Sequence, residues 1–180
     1  MNSKQKIILY DKGDTGIQGL SWNIYSKIQF GWKSIGVKSW TEAEIELKKL
    51  GLNSKNPLET IQIWSHGVPG NVYIGEQTIQ DSFIETLKPL VNKNSLIWFR
   101  SCATFFGTKG HKFAKNISQQ LGCCIAGHTR IIGFPWQSGL YSCEPDRKPY
   151  WTIETGTPKE SNYNDPHTIF AGSMSFPSDW

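Results

Sequence analysis

Two segments of this chain run through apolar residues and stop at a reactive side chain: Ile61-Gln62-Ile63-Trp64-Ser65-His66-Gly67 and Leu96-Ile97-Trp98-Phe99-Arg100-Ser101-Cys102. Runs so rich in β-branched and aromatic residues read as buried strands. One ends in His-Gly and the other in Ser-Cys, with 36 positions between His66 and Cys102. In an open α/β sheet, ligands collect just beyond the carboxyl ends of parallel strands, so two neighbouring strands of this kind present both groups on one rim. A thiol and an imidazole within hydrogen-bond reach form a nucleophile and its base. Taken singly, a cysteine at a strand end reads as core and a lone histidine as a structural group. The pairing shifts both readings towards chemistry. Gly67 and the small Ser101 also leave room for a substrate backbone to approach.

The elements that must position these residues follow from patterning. Lys6 to Asp11 is a first buried strand, followed by Gly13, Gly16 and Gly19 and by Leu20, Ile24 and Ile28 at helical spacing. That glycine series lacks the Lys-Ser/Thr of a phosphate loop and the spacing of a dinucleotide fingerprint, and reads as a strand-to-helix turn. Ile35 to Trp40 is a short second strand. Thr41 with Glu44 reads as a capping box opening a helix whose buried stripe is Ala43, Leu47 and Leu50. Val72 to Ile74 and Thr78-Ile79 form a small hairpin, and Phe83, Ile84 and Leu87 mark a helix before the Cys102 strand. Thr108 to Leu121 is a further helix closed by Gly122. Cys123 to Ala126 is a fifth strand, residues 127–130 a loop, and Tyr150 to Glu154 a sixth strand. Residues 144–180, with their prolines, are loop-rich. The alternation predicts a single α/β domain over residues 1–180, with three layers and a mostly parallel central sheet flanked by helices on both faces.

Composition narrows the function classes. A chain of 180 residues buries roughly 70% of its unfolded surface, and 38% hydrophobic residues with eight Trp supply a core. The net charge of +4 is scattered, without a run of basic residues, so neither a nucleic acid nor a membrane surface is an expected partner. The first apolar stretch, Ile7 to Tyr10, is shorter than the roughly 7–15 residues of a secretory signal. The expected location is cytoplasmic, or outside the cell by a route without a classical signal peptide. Four cysteines without a C-x-x-C pair favour neither a disulfide framework nor a zinc site, so no metal or cofactor is expected.

The two strand ends resemble the caspase-like cysteine peptidases, a group spanning caspases, legumains, gingipains and the self-cleaving domains of large bacterial toxins. Their pattern is an apolar strand ending in His-Gly and a later one ending in a small residue followed by Cys. Ser65-His66-Gly67 and Ser101-Cys102 match it in type and order. Ser65-His66-Gly67-Val68-Pro69-Gly70, with Tyr73-Ile74-Gly75 after it, looks closest to uncharacterised bacterial branches. The likeness spans about residues 57–130. Arg100-Ser101-Cys102-Ala103-Thr104 departs from the Gln-Ala-Cys-[Arg/Gln/Gly]-Gly of animal caspases, whose His also lies about 50 residues upstream. Aspartate specificity is therefore not carried over.

The resemblance implies a cysteine endopeptidase acting on protein or peptide substrates. Cys102 would attack as thiolate and His66 would protonate the leaving amine, with the backbone N–H groups of Gly67 and Cys102 as oxyanion hole. The thiol is then expected to have a lowered pKa. His111, His128 and His167 compete for the base role less well. In such a fold the specificity pocket is built from the loops after the first strand and after the strand following the Cys strand. These offer Asp11 and Asp14 on one side, selecting a basic residue, or His128 and Arg130 on the other, selecting an acidic one. Arg130 is closer to the expected pocket floor. The alternative is a catalytically silent caspase-like binding or scaffolding module. An esterase would need a G-x-S-x-G elbow, which the chain lacks.

Overall fold

The computed structural model describes residues 5–53, 55–153 and 156–177. In chain order the elements are β1 (Gln5–Asp11), α1 (Ile17–Lys27), β2 (Lys33–Val37), α2 (Trp40–Lys48), β3 (Leu58–Trp64), β4 (His66–Val68), β5 (Asn71–Ile74), β6 (Gln77–Thr78), α3 (Asp81–Leu87), β7 (Leu96–Arg100), α4 (Gly107–Leu121), β8 (Cys124–His128), β9 (Trp136–Gln137), β10 (Leu140–Cys143) and β11 (Ile169–Phe170). The main sheet has six strands in the order β10-β8-β7-β3-β1-β2. Neighbours pair parallel throughout except β10, which runs antiparallel to β8.

Side-chain alternation divides β1 between two cores. Ile7 and Leu9 join Ile61, Ile63, Ile97 and Phe99 on one face, covered by α2, α3 and α4 through Trp40, Leu47, Phe83 and Ile117. Ile8 and Tyr10 face the other way and meet Trp22 of α1. Further along that second face the C-terminal segment takes over, with Ile169 and Phe176 against Trp98. The molecule is thus a mixed α/β fold with a mostly parallel central sheet and helices on both faces.

Several local expectations shift. The cap of α2 is Ser39, whose hydroxyl accepts from the Glu42 N–H while the Glu42 carboxylate accepts from Lys38 N–H. The capping pair is therefore Ser39 with Glu42, two residues before Thr41 with Glu44. Trp40 belongs to this helix instead of to β2. The fifth strand runs on to His128, so Gly127 and His128 are strand residues rather than loop. The sixth strand is β10 and not residues 150–154; Tyr150 to Ile153 are irregular, and Glu154 lies outside the described residues. The helical spacing of Leu20, Ile24 and Ile28 marks the solvent face of α1, all three being exposed. What α1 turns to the sheet is Gly19, Ser26 and Trp22. Gly19 is required there, since a Cβ would stand 2.0 Å from the Asp14 carbonyl oxygen.

Candidate active site

The strand order reverses around β1: the chain steps outward to β2, then crosses back to β3, β7 and β8. Ligand crevices of open α/β sheets open at such a switch point, beyond the carboxyl ends of the strands. The loop after β1 and the ends of β3 and β7 meet at this rim.

Register aligns the two segments that lead to the reactive groups. Trp64 of β3 pairs with Arg100 of β7, an offset of 36 that His66 and Cys102 share two residues further on. One step beyond the pair, the hydroxyls of Ser65 and Ser101 hydrogen-bond at 3.1 Å in the buried floor. Gly67 then packs so closely on the turn after β7 that a Cβ would lie 2.8 Å from the Cys102 carbonyl oxygen and 2.7 Å from Thr104 Oγ1. Backbone cannot yield as a flexible side chain does. Gly67→Ala is therefore expected to cost about 1–3 kcal/mol by overpacking and to push the His66 strand off the Cys102 turn. A urea titration checks the first effect; an unshifted midpoint would show that the two backbones are not in contact.

The turn carrying Cys102 is strained. Ala103 has φ +53°, in the left-handed region that non-glycine residues rarely occupy, and is buried. Main-chain bonds hold it there: Ala103 N–H donates to the Arg130 carbonyl at 2.7 Å and Phe105 N–H to the His128 carbonyl at 2.9 Å. The end of β8 and its loop therefore brace the Cys102 turn from the main chain.

Asp14 and His66 form a pair. His66 Nε2 lies 3.0 Å from Asp14 Oδ2, and Trp22 meets the imidazole edge-on with ring centres 5.2 Å apart. Burial acts to raise the Asp14 carboxyl, but the N–H of Gly16 and the contact with His66 outweigh it and hold it below the ordinary carboxylate range. Asp14 is ionised at neutral pH, so His66 Nε2 is the donor and Nδ1 the nitrogen left for proton exchange. Asp14 thus stands behind the imidazole instead of lining a specificity pocket.

Cys102 is partly buried, and its Sγ donates to the Ile132 carbonyl at 3.6 Å. Burial raises the thiol above its ordinary value, opposite to the lowering expected. The physical reason is desolvation, which outweighs the lowering contributed by the backbone at Ile132 and at Cys102 itself. Cys123 and Cys124 are pushed up further, to about 12 and about 11, mainly by burial.

Beside Cys102 a cavity of about 390 Å³ opens. Its walls are one side of α1 with Trp22 and Tyr25, the ends of β3 and β7 with Ser65 and Arg100, the loop at Ile132 to Phe134, and Gln137 with the C-terminal segment at Ala171. None of the four residues expected to line a pocket lines this one. Asp11 is buried, its two carboxylate oxygens accepting from Gly13 N–H at 2.8 Å and Gly75 N–H at 2.7 Å, so it ties the β1 loop to β5. His128 is fully buried at the end of β8 beside the Ser138 carbonyl, 3.1 Å from Nδ1, and desolvation pushes it down to about 3. Arg130 turns to Asp165, 2.9 Å away. The other candidate bases are also placed elsewhere, His111 against Trp151 and His167 against Tyr141.

Sequence reasoning passed over Trp22, Ala103 and above all Arg100. A readable signal existed for the last: a charged residue inside an otherwise apolar strand run has to find buried partners. Among the described residues no group of three or more His, Cys, Asp or Glu could hold a metal ion, and no helix is long and apolar enough to cross a membrane.

One family profile, that of a domain of unknown function (DUF4347), matches residues 14–146, a span containing Asp14, His66, Arg100 and Cys102. No curated protein and no solved structure matches the chain.

Proposed function

The chain belongs to the DUF4347 family, a domain of unknown function, and we propose that it is a cysteine peptidase of caspase-like type built on Cys102 and His66. The observation that supports this reading is the shared register of β3 and β7, whose ends lead to His66 and Cys102 from neighbouring strands, with a cavity beside Cys102. Asp14 accepts from His66 Nε2 and orients the ring, leaving Nδ1 to take the thiol proton and return it to the leaving amine. The backbone N–H groups of Gly67 and Cys102 are the proposed oxyanion donors. For attack the thiol must exchange the Ile132 carbonyl for the imidazole. A substrate entering the cavity displaces that loop, and catalytic hydrogen bonds commonly tighten only in the complex.

A second reading, a silent binding module of the same fold, is favoured by one observation: the Cys102 thiol is already engaged with Ile132 and raised by burial. The two are separated by incubating the protein with unfolded casein in reducing buffer, with and without brief iodoacetamide treatment and peptide mapping. Peptidase action predicts cleavage that falls in proportion to alkylation at Cys102, with Cys123 and Cys124 labelled slowly. No cleavage, or cleavage that survives full modification of Cys102, overturns the dyad.

A further inference from the structure

Arg100 is the one charged side chain among the described residues lining the cavity beside Cys102, and it is buried. Trp64 and Trp98 sandwich its guanidinium, with ring centres 5.0 and 4.9 Å from Cζ. Among the described residues its hydrogen bonds all go to neutral oxygens. Nε and Nη2 both donate to Gln137 Oε1, at 2.9 and 2.6 Å. Nη1 donates to Gln62 Oε1 and to the Ser173 carbonyl, and Nη2 to the Ala171 carbonyl. Each N–H is satisfied, yet among the described residues no carboxylate pairs with the positive charge, which is costly for a buried cation. Burial lowers its pKa only to about 9, so the group stays charged at neutral pH.

Gln137 Oε1 occupies a telling place. It sits at the Nε–Nη2 edge of the guanidinium, the edge through which arginine takes a carboxylate by two parallel hydrogen bonds. Gln137 itself lines the cavity, on the short strand β9. Its amide therefore holds, with a neutral oxygen, the position an incoming anion would fill.

Resting on the peptidase reading, we infer that this cavity is the specificity pocket and that it takes an acidic side chain, whose carboxylate replaces Gln137 Oε1 on Arg100. The residue before the scissile bond would then be Asp or Glu, its charge neutralising Arg100 between the two indole rings. This moves the selecting arginine from Arg130, which is committed to Asp165, to Arg100. A chain-terminal α-carboxylate offers the same chemistry, so the test must separate the two sources.

Binding is measured by calorimetry to the full-length Cys102→Ala protein, which removes the nucleophile and keeps the pocket. The probes are N-acetylated tetrapeptide amides ending in Asp, Glu, Asn, Leu or Lys, and one ending in Leu with a free carboxylate. The Asp or Glu peptide is expected to bind about 10–100-fold more tightly than the Asn peptide, the range of a charge-assisted pair against a neutral one. Arg100→Gln should erase that difference. Because Arg100 also ties three segments together, Gln137→Glu serves as the second variant: a built-in carboxylate on Arg100 should weaken the acidic peptides to the level of Asn while the fold is retained. Equal affinity for Asp and Asn, preference for Leu or Lys, tight binding of the free-carboxylate Leu peptide alone, or no binding by any probe overturns the inference. Failure of the peptidase reading looks different, as acidic peptides bind Cys102→Ala while the wild-type chain cleaves none of them.

Discussion

Replacing Cys102 or His66 with alanine is expected to lower peptide-bond cleavage by roughly 10⁴-fold or more in either case, and the double variant is expected to be scarcely worse than either single one. The reason is that thiol and imidazole act as one unit: without the base there is no thiolate to attack, and without the sulfur there is no attack to assist. Their placement favours this outcome, because both follow, two residues on, from the paired ends of the adjacent strands β3 and β7. Neither side chain belongs to the buried core of the fold. His66 is half exposed, and Cys102 contributes a single weak hydrogen bond to a loop carbonyl. Far-ultraviolet circular dichroism should therefore be unchanged. Steady-state kinetics on one substrate decide the matter, and a single variant within tenfold of wild type refutes the unit. Multiplicative losses in the double variant would show instead that the two residues work independently.

The second large effect separates two aspartates only three positions apart. Asp14→Ala is expected to reduce kcat by about 10–100-fold, with KM little changed and only a small loss of stability, since Asp14 orients His66 through Nε2 and is a positioning residue. Asp14→Asn should recover part of that loss, because its amide oxygen can still accept from the ring. Asp11→Ala is expected to behave the opposite way. Its buried carboxylate accepts from the N–H groups of Gly13 and Gly75, and losing these hydrogen bonds to a charged group is expected to cost about 1.5–3 kcal/mol each. Turnover per folded molecule should survive. Thermal melting and kcat measured on both variants provide the check: an Asp14 variant that loses stability with kcat intact, or an Asp11 variant that does the reverse, would exchange these roles. The Asp14 contribution should also fade in acid. Its folded carboxyl is held below the usual value, so the stability of the pair is complete above that usual value and is lost as pH falls through the lowered one.

Much of the architecture is legible from residue order because it rests on local periodicity. Runs such as Ile61 to Trp64 and Leu96 to Phe99 hold at most one uncharged polar residue, Gln62, so they read as strands buried on both sides, and such strands pair parallel. The helix over residues 107–121 with Gly122 at φ +62° follows from spacing and from glycine's freedom to close it. The neighbouring placement of the strands that lead to His66 and Cys102 is also foreseeable, since the pattern makes both buried and parallel. What escapes is whatever depends on a third body. Asp14 reads as one more loop charge until Gly19 lets its backbone tuck under α1 and its carboxylate reach His66. Arg130 looks nearer to a pocket than Arg100 along the chain, yet Asp165, 35 residues away, claims it. His128 looks like a loop residue until β10 pairs with β8 and buries it. The state of the Cys102 thiol depends on a carbonyl 30 residues downstream, which no local pattern announces. Strand and helix identity follow from neighbours in sequence, because the backbone repeats every two or 3.6 residues. The charge state and partner of each polar group follow from neighbours in space, and only the folded chain assigns those.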